Sequence, residues 1–575
     1  MEDKISYSQF ACVGTGFSAI GLGATLRRWY DIDDIAFFEK CGKLGGTWFI
    51  NQYPGCACDV PSSLYSFSYE PNPNWTRILP SKDELWSYLD SVAYKYDLKR
   101  KMSFDMQVER CEWFEERARW RMTIRNLQSG AVLTHECQFL FCAPGQLAKP
   151  RDFDVPGAAT FEGAMFHTAR WPRDVDLRDK KVVVFGNGCT AAQVVPSIVR
   201  ETKSLTQFVR SKHWILPPID GEIPGWAHVL LRRLPGLMGL VRLLVFLAAE
   251  SSLRGFPLTD AARRFREEQR VKAERYMRST APEKYHDLLI PDFDIGCKRR
   301  IFDSGYLKSL HEDKLTLTNE KVMEIVPKGV RTEKGVVEAD IVVLANGFVT
   351  NDFLIGLDVR GYGGKTIQEH WKSFGGAEAY NCSVLSGFPN MFILLGPNAA
   401  TGHTSAIMAS ENSVNYALRV IRPILEGRAS ITSVNWDAEK RYSDWLQAAL
   451  RKTVWNSGCQ SWYVKEASDG SEKTWNAMSY PWSQAHFWYR SVFPVWADWE
   501  YRGRVNNKRL ARKSSRAAKV IRRFTTLATI FGVAWWLWMQ HSSDHGFDDL
   551  GPQVSRALAR ASALLNNLKA SILSS

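Results

Sequence analysis

Two short apolar runs in this chain each stop on a glycine and pass straight into a helix-compatible stretch. The first is Phe10-Ala-Cys-Val13, followed by Gly14-Thr-Gly16-Phe-Ser-Ala19, with helix-compatible sequence over 18–29. The second is Lys181-Val-Val-Val-Phe185, followed by Gly186-Asn-Gly188-Cys-Thr190-Ala191, with helix-compatible sequence over 190–200. In such a turn the first glycine allows a tight bend and the second lets a pyrophosphate approach the backbone. The small alanine lets the helix pack close to the strand, and the helix N-terminus faces the phosphates. The pattern predicts an α/β fold with two Rossmann-like dinucleotide-binding units, each a parallel sheet layered with helices.

The residue that ends the next strand of each unit distinguishes the two nucleotides. Ile35-Ala-Phe-Phe38 reads as the next strand of the first unit and ends on Glu39, placed to accept hydrogen bonds from a ribose, which suits FAD. The corresponding strand of the second unit, 205–209, ends instead on Arg210 with Lys212 close behind. Two cations there suit the 2′-phosphate of NADPH and leave NADH without its usual acidic partner.

A chain of 575 residues is too long for one core. An FAD-binding domain is expected to open over 1–160 and to be completed by 329–500, where strand signals return and Phe392-Ile-Leu-Leu395 leads into Gly396-Pro397. An NADPH-binding domain is expected from 161–222 and 290–328. Between them, 223–289 loses its strand signals; the stretch 230–249 is strongly apolar yet broken by Arg232, Arg233, Pro235 and Arg242. A helical insertion is expected there, a candidate lid over a substrate cleft. The formal charge of +13 comes largely from a basic block at 502–523, so it describes a tail and not a nucleic-acid-binding body.

Eleven scattered cysteines lack zinc-type spacing, and no metal site is expected. The first ten residues have no apolar signal core. Together these predict free thiols and a cytosol-facing catalytic body. Asn74-Trp-Thr76 and Asn381-Cys-Ser383 then read as chance matches to the glycosylation pattern.

Between the two nucleotide units lies Phe161-Glu-Gly163-Ala-Met-Phe-His167-Thr-Ala-Arg-Trp171-Pro172. This spacing of Phe, Gly, His, Trp and Pro resembles the fingerprint of Baeyer–Villiger monooxygenases, within the class B flavin monooxygenases. The likeness extends over about residues 8–490. Gly45-Gly46-Thr47-Trp48 and Tyr53-Pro-Gly55-Cys-Ala-Cys58-Asp59 resemble the flavin-side segment of those enzymes. Gly296-Cys-Lys298-Arg299 resembles their Lys-Arg pair, and Gly396-Pro-Asn-Ala-Ala-Thr-Gly402-His403 their late loop near the flavin ring. There are departures. Ala57 replaces a frequent Arg, as in a fungal-type subgroup, and the two Ala-Thr-Gly segments are here Ala143-Pro144-Gly145 and Ala345-Asn346-Gly347.

The resemblance implies that NADPH gives a hydride to FAD, that the reduced flavin takes up O2, and that one oxygen is inserted beside a ketone carbonyl to give an ester or lactone. It further implies a fungal secondary-metabolite setting. Arg299 is the expected catalytic group, since its guanidinium stays charged and forked, with Asp59 orienting it through a bidentate pair. Gly14, Gly16, Ala19, Glu39, Gly46, Thr47, Trp48, Asp59 and Tyr65 are the FAD-side candidates. Gly186, Gly188, Thr190, Ala191, Arg210, Lys212 and Lys298 are the NADPH-side candidates, Lys298 facing a phosphate. Phe161, Gly163, His167, Trp171 and Pro172 form the linking fingerprint, with His167 a hinge or positioning group.

The C-terminal tail adds a membrane expectation. The uncharged stretch 524–540 carries three tryptophans near one end and would span about 25 Å as a helix, against about 30 Å of hydrocarbon. Basic residues precede it and Asp544, Asp548 and Asp549 follow, which keeps the body on the cytosolic side. Val554, Leu558, Ala561, Leu565, Leu568 and Ile572 then recur at helical spacing, as in a surface-lying amphipathic helix. An apolar ketone would suit a membrane-attached enzyme. The alternatives are an N- or S-oxygenating flavin monooxygenase, a two-nucleotide disulfide reductase and a non-catalytic flavin-binding membrane protein. The substrate and the oligomeric state stay open.

Overall fold

Each glycine turn joins an interior strand of its own sheet to a helix. In the computed structural model, which describes residues 5–459, 461–466 and 474–503, the strand Ser6–Val13 runs into the helix Phe17–Tyr30, and Lys181–Phe185 into Cys189–Ile198. Phe10, Ala11 and Cys12 of the first strand and Val182 to Phe185 of the second are buried on successive faces, as strands covered by helices require.

The first sheet has eight strands. Ser6–Val13 pairs in parallel with Ile35–Phe38 on one side and with Val132–Cys142 on the other. Val132–Cys142 also pairs antiparallel with Arg119–Asn126, and that strand with Met106–Phe114, so a hairpin extends the parallel layer. The late strand Met391–Ile393 joins in parallel along Leu140–Cys142, pinned by Phe392 stacking on Phe141 at 5.2 Å. A segment about 380 residues downstream therefore completes the sheet begun at Ser6. The helix Ala406–Val420 adds a link to the first nucleotide helix, through a 2.7 Å hydrogen bond from Ser410 to Ser18.

The second sheet is wholly parallel, in the order Leu315–Thr318, Ser204–Phe208, Lys181–Phe185, Ile341–Leu344, Ala164–His167. Its outer strand Ala164–His167 lies inside the Phe161 to Pro172 segment. Between the strand Ser204–Phe208 and its neighbours in the sheet, the helices Gly225–Arg233, Leu237–Glu250, Asp260–Thr280 and His286–Leu289 fill the chain from 225 to 289. The apolar stretch 230–249 is thus two helices broken at Leu234-Pro235-Gly236, where proline and a left-handed glycine (φ 82°) end one helix and start the next.

Among the described residues no single helix is long and apolar enough to cross a membrane, although the bent pair Gly225–Arg233 and Leu237–Gly255 has the composition for it. The tail features expected at 524–540 and 554–572 lie outside the described residues. The expectation of free thiols throughout is corrected: Cys297 and Cys459 form a disulfide with Cα atoms 6.3 Å apart, and the other nine cysteines are free. Asn381 is buried, which bars it as a glycosylation site, while Asn74 is exposed.

Candidate active site

The floor of a cavity of about 520 Å³ is the first glycine turn. Gly14 has φ 102°, and a Cβ there would stand 2.5 Å from the Ala143 carbonyl oxygen, so only glycine lets the strand ends close up. Gly16 caps its helix with no side chain accepting from the first-turn N–H groups. Gly188 caps the second nucleotide helix in the same way, with open space where its Cβ would be. Uncapped helix N-termini are what a pyrophosphate requires, so both turns fit a dinucleotide, with open space at Gly188 and the Gly46 backbone 3.6 Å from where a Gly16 Cβ would stand. Ala19 and Ala191 are fully buried where each helix meets its sheet.

Glu39 lines the cavity from the end of the next strand. Its carboxylate accepts from the Thr15 N–H at 2.9 Å, the Thr15 hydroxyl at 3.0 Å and the Cys41 N–H at 3.0 Å. A carboxylate has about four acceptor positions, so one remains for a ribose hydroxyl. Gly46, Thr47, Trp48, Asp59 and Tyr65 continue the wall, with Trp48 set edge-on to Tyr65 at 5.5 Å.

The segment from Tyr53 to Asp59 is pressed onto the second nucleotide helix. Tyr53 donates its hydroxyl to Gln193 at 2.9 Å, and Gln193 donates back to the Ala57 carbonyl at 3.0 Å. Gly55 (φ 78°) lies so close that a Cβ would stand 2.6 Å from the Gln193 carbonyl oxygen. This contact brings Cys189, Thr190 and Gln193 of the second unit to the same cavity as the first glycine turn.

Asp59 meets Arg299 at that junction. Arg299 donates from Nε at 2.8 Å and from Nη2 at 2.5 Å, both to Oδ2 of Asp59. The expected bidentate pair is therefore corrected: both donors converge on one oxygen. Asp59 is also the first cause holding the guanidinium firmly charged, while about a third of each side chain stays accessible at the cavity wall.

Lys298, one residue earlier, turns the other way. It is almost fully buried, with Nζ 4.7 Å from the Phe293 ring centroid. Burial and then the Arg210 charge push its ammonium below the usual lysine range. The Lys298 charge also helps lower His213, which burial pushes down to about 4 and whose Nδ1 is buried without a hydrogen-bond partner. These side chains meet because Ile215–Leu216 pairs in parallel with Ile301–Phe302, which draws 210–216 alongside 298–302. Arg210 is exposed and Lys212 half-buried on the same strip. Gly186, Gly188, Arg210, Lys212 and Lys298 are not part of the cavity wall. Positive charge gathered beside the second sheet, offset in part by Asp292, fits a phosphate.

The linking fingerprint holds the second sheet to its return strand. His167 contacts the Gly347 carbonyl through Nε2 at 3.1 Å, and its Nδ1 accepts from the Ala169 N–H at 3.0 Å. With Nδ1 accepting, Nε2 carries the proton, and burial lowers the pKa further, so the ring is neutral. Trp171 packs edge-on against Phe166 at 5.0 Å.

Several lining residues had no local sequence signal. Tyr463 is buried close enough to Arg299 and Asp59 for both charges to act on its phenol, which burial pushes up to about 12. Gln193, Trp462, Met478 and Gln146 line the cavity as well.

Known proteins resemble this chain over most of its length. A family model described as an NAD(P)-binding Rossmann-like domain matches residues 12–80. A Baeyer–Villiger monooxygenase of Streptomyces coelicolor is 35% identical over 480 residues, which cover 82% of this chain and 90% of the relative. The FAD-binding monooxygenase ktnD of Aspergillus niger is 31% identical, covering 78% of this chain and 76% of the relative. The crystal structure of cyclohexanone monooxygenase from Rhodococcus sp. Phi1 bound to NADP+ superposes with a TM-score of 0.76 at 22% identity, over 87% of this chain and all of that one, and shows the shared fold. The chain belongs to the Baeyer–Villiger monooxygenases and is an FAD- and NADPH-dependent flavoprotein monooxygenase.

Proposed function

We propose that this enzyme oxygenates an apolar ketone to an ester or lactone, with Arg299 as the cation that stabilises negative charge developing on oxygen. The observation that carries this reading is the Arg299–Asp59 pair at the junction of the two nucleotide units, on the wall of the cavity. When bound, FAD and NADPH supply the hydride transfer and the activation of O2. Arg299 offers a permanently charged donor set that cannot give up a proton to the oxidant, and Asp59 fixes its direction. Preorganised charge of this kind acts on a tetrahedral intermediate with no reorganisation at the moment of reaction. Gly14, Gly16, Ala19, Glu39, Gly46, Thr47, Trp48, Asp59 and Tyr65 would hold FAD. Gly186, Gly188, Thr190 and Ala191 would receive the NADPH pyrophosphate, and Arg210, Lys212 and Lys298 its 2′-phosphate. His167, neutral and tied to Gly347, acts as a hinge rather than a proton carrier.

The domain reading assigns 1–160 with 329–500 to FAD, 161–222 with 290–328 to NADPH and 223–289 to an insertion; the strand Ile341–Leu344, which pairs within the second sheet, corrects the bounds by one strand in favour of the NADPH unit. The tail at 501–575 would fix the body to a membrane and keep it near apolar substrates. The fungal relative supports a role in secondary metabolism.

A disulfide reductase is disfavoured by Cys56 and Cys58. Both are free and buried, and burial pushes the Cys56 thiol up to about 11 and raises Cys58 well above the usual thiol range, whereas a redox dithiol needs an accessible thiolate. The deciding experiment offers purified enzyme with NADPH a panel of apolar ketones beside a panel of amines and thioethers. Esters or lactones from the ketones support the reading. Heteroatom oxides with no ester would overturn it.

A further inference from the structure

We infer that the helical pair Gly225–Arg233 and Leu237–Glu250 is a membrane-docking face that lies flat on an anionic lipid surface. A surface helix of a globular protein ordinarily turns its apolar stripe inward and its charges to water. Here the arrangement is reversed.

The inward side is held by polar groups. Arg242 donates from Nη1 to the Ser63 carbonyl at 2.7 Å and the Ser66 carbonyl at 3.0 Å, and its Nη2 stands 3.8 Å from Glu411. His228 reaches the Trp75 carbonyl at 3.0 Å on this side, while Arg232 and its partner Asn74, 2.7 Å away, are both exposed. Glu250, at the far end, accepts from the Gln484 N–H at 2.7 Å. The outward side is apolar. Leu240, Leu243, Leu244 and Leu247 recur at i, i+3, i+4 and i+7 and are 52%, 50%, 50% and 38% exposed. Trp226, Val229 and Leu234, on the first helix and the break, are exposed as well. Neither helix has a fully buried residue. A contiguous apolar face of this kind marks a surface that meets an apolar partner.

Three observations select a lipid surface as that partner. No acidic residue occurs from Ile223 to Ala249, and Arg232 and Arg233 are exposed beside Leu234, which complements anionic headgroups. Trp226, exposed at the start of the first helix, has the amphipathic ring that settles at the headgroup level. The polar contacts of Arg242, His228 and Glu250 hold both helices along the body, so they lie on a bilayer and do not cross it.

The face is also coupled to the cavity. His403 Nε2 stands 3.6 Å from Glu250, and its neighbours Gly402 and Thr404 line the cavity wall. Docking therefore brings the site close to the phase in which an apolar ketone dissolves. This inference deepens the membrane reading above, but it concerns a different part of the chain from the tail.

The test uses the full chain with phosphatidylcholine vesicles, with and without phosphatidylserine. Amide hydrogen exchange is followed on peptides from 225–250, and vesicle co-sedimentation is measured for wild type and for Leu243→Ser with Leu244→Ser. FAD content and the basal NADPH oxidation rate in buffer verify that the variant is folded. We expect phosphatidylserine vesicles to slow exchange in 225–250, and the double substitution to abolish that protection and weaken sedimentation about tenfold. As a second probe, the charge reversal Arg232→Glu with Arg233→Glu should remove the phosphatidylserine dependence. If the chain sediments with vesicles but 225–250 is unprotected, the tail alone holds it, and the inference fails while the membrane reading stands. If the chain binds no vesicles, both fail. Protection of 225–250 that rises with protein concentration and needs no lipid would assign the face to a second copy and overturn the inference.

Discussion

Arg299 directs both Nε and Nη2 at one oxygen of Asp59, Oδ2. That geometry fixes the guanidinium edge-on against its partner and leaves its remaining edge toward the cavity wall, where Tyr463 also lies. The pair spans 240 positions of sequence and joins the flavin-side segment to the second nucleotide unit. Arg299→Ala is expected to retain bound FAD and NADPH-driven flavin reduction while product formation falls by about 10² to 10³. Anaerobic reduction kinetics and product quantification separate the two steps. Unchanged product yield would remove Arg299 from the oxygenation step.

Arg210 and Lys298 bring two positive charges together, with the Asp292 charge acting on Lys298 less strongly than Arg210 does. A 2′-phosphate would relieve that repulsion, and losing a charge-assisted contact costs roughly 1.5–3 kcal/mol. Arg210→Ala should therefore raise the KM for NADPH by about ten- to a hundredfold and leave the KM for NADH nearly unchanged. Equal effects on both cofactors would assign Arg210 to something other than the phosphate.

How much of this was legible in the sequence depends on how local each cause is. Gly14 and Gly186 could be read directly, because a positive-φ turn between strand and helix is a requirement of the neighbouring residues alone. Arg210 could be read from its place after a strand. Asp59 and Arg299 could not: their contact depends on the Tyr53 to Asp59 segment docking on the second helix, and family resemblance singled them out. Resemblance did not extend to how the pair meets, and the two donors converge on one oxygen. Tyr463 and His213 carry no motif and reach their positions only through tertiary packing. The loss of strand signals over 223–289 pointed to helices, but which face Leu240 to Leu247 present is decided by Arg242 finding the Ser63 and Ser66 carbonyls. Composition pointed to free thiols, and no local signal pairs two cysteines 162 residues apart.

The Cys297–Cys459 disulfide ties the residue before Lys298 and Arg299 to the stretch that leads to Tyr463. Nine thiols should react in denaturant without reductant, and eleven after reduction. Closing a long loop typically stabilises a fold by about 2–4 kcal/mol, so reductant should lower the unfolding midpoint. Cys459→Ser should show the lower midpoint with and without reductant. Eleven reactive thiols in the untreated protein would show that the pair is reduced.

Acid should weaken the fold through buried histidines. His135 lies between Ser6 and Ser8, with Nδ1 2.8 Å from one hydroxyl and Nε2 2.9 Å from the other, and burial pushes it down to about 4. His486 is lowered to about 4 for the same reason. Because the unfolded chain titrates near 6.5, it takes up protons between pH 6.5 and 4 that the native state refuses. The stability from these rings is therefore complete above pH 6.5 and falls progressively as the pH drops towards 4. For His135, 4% exposed, the loss amounts to about 3 kcal/mol. His135→Gln, which keeps a hydrogen-bonding group but does not titrate, should start less stable at pH 8 and lose less on acidification, so that the difference from wild type narrows as the pH falls. Denaturant midpoints at pH 8, 6 and 4.5 measure this directly, and a constant difference across the range would show that His135 does not titrate as a buried neutral ring.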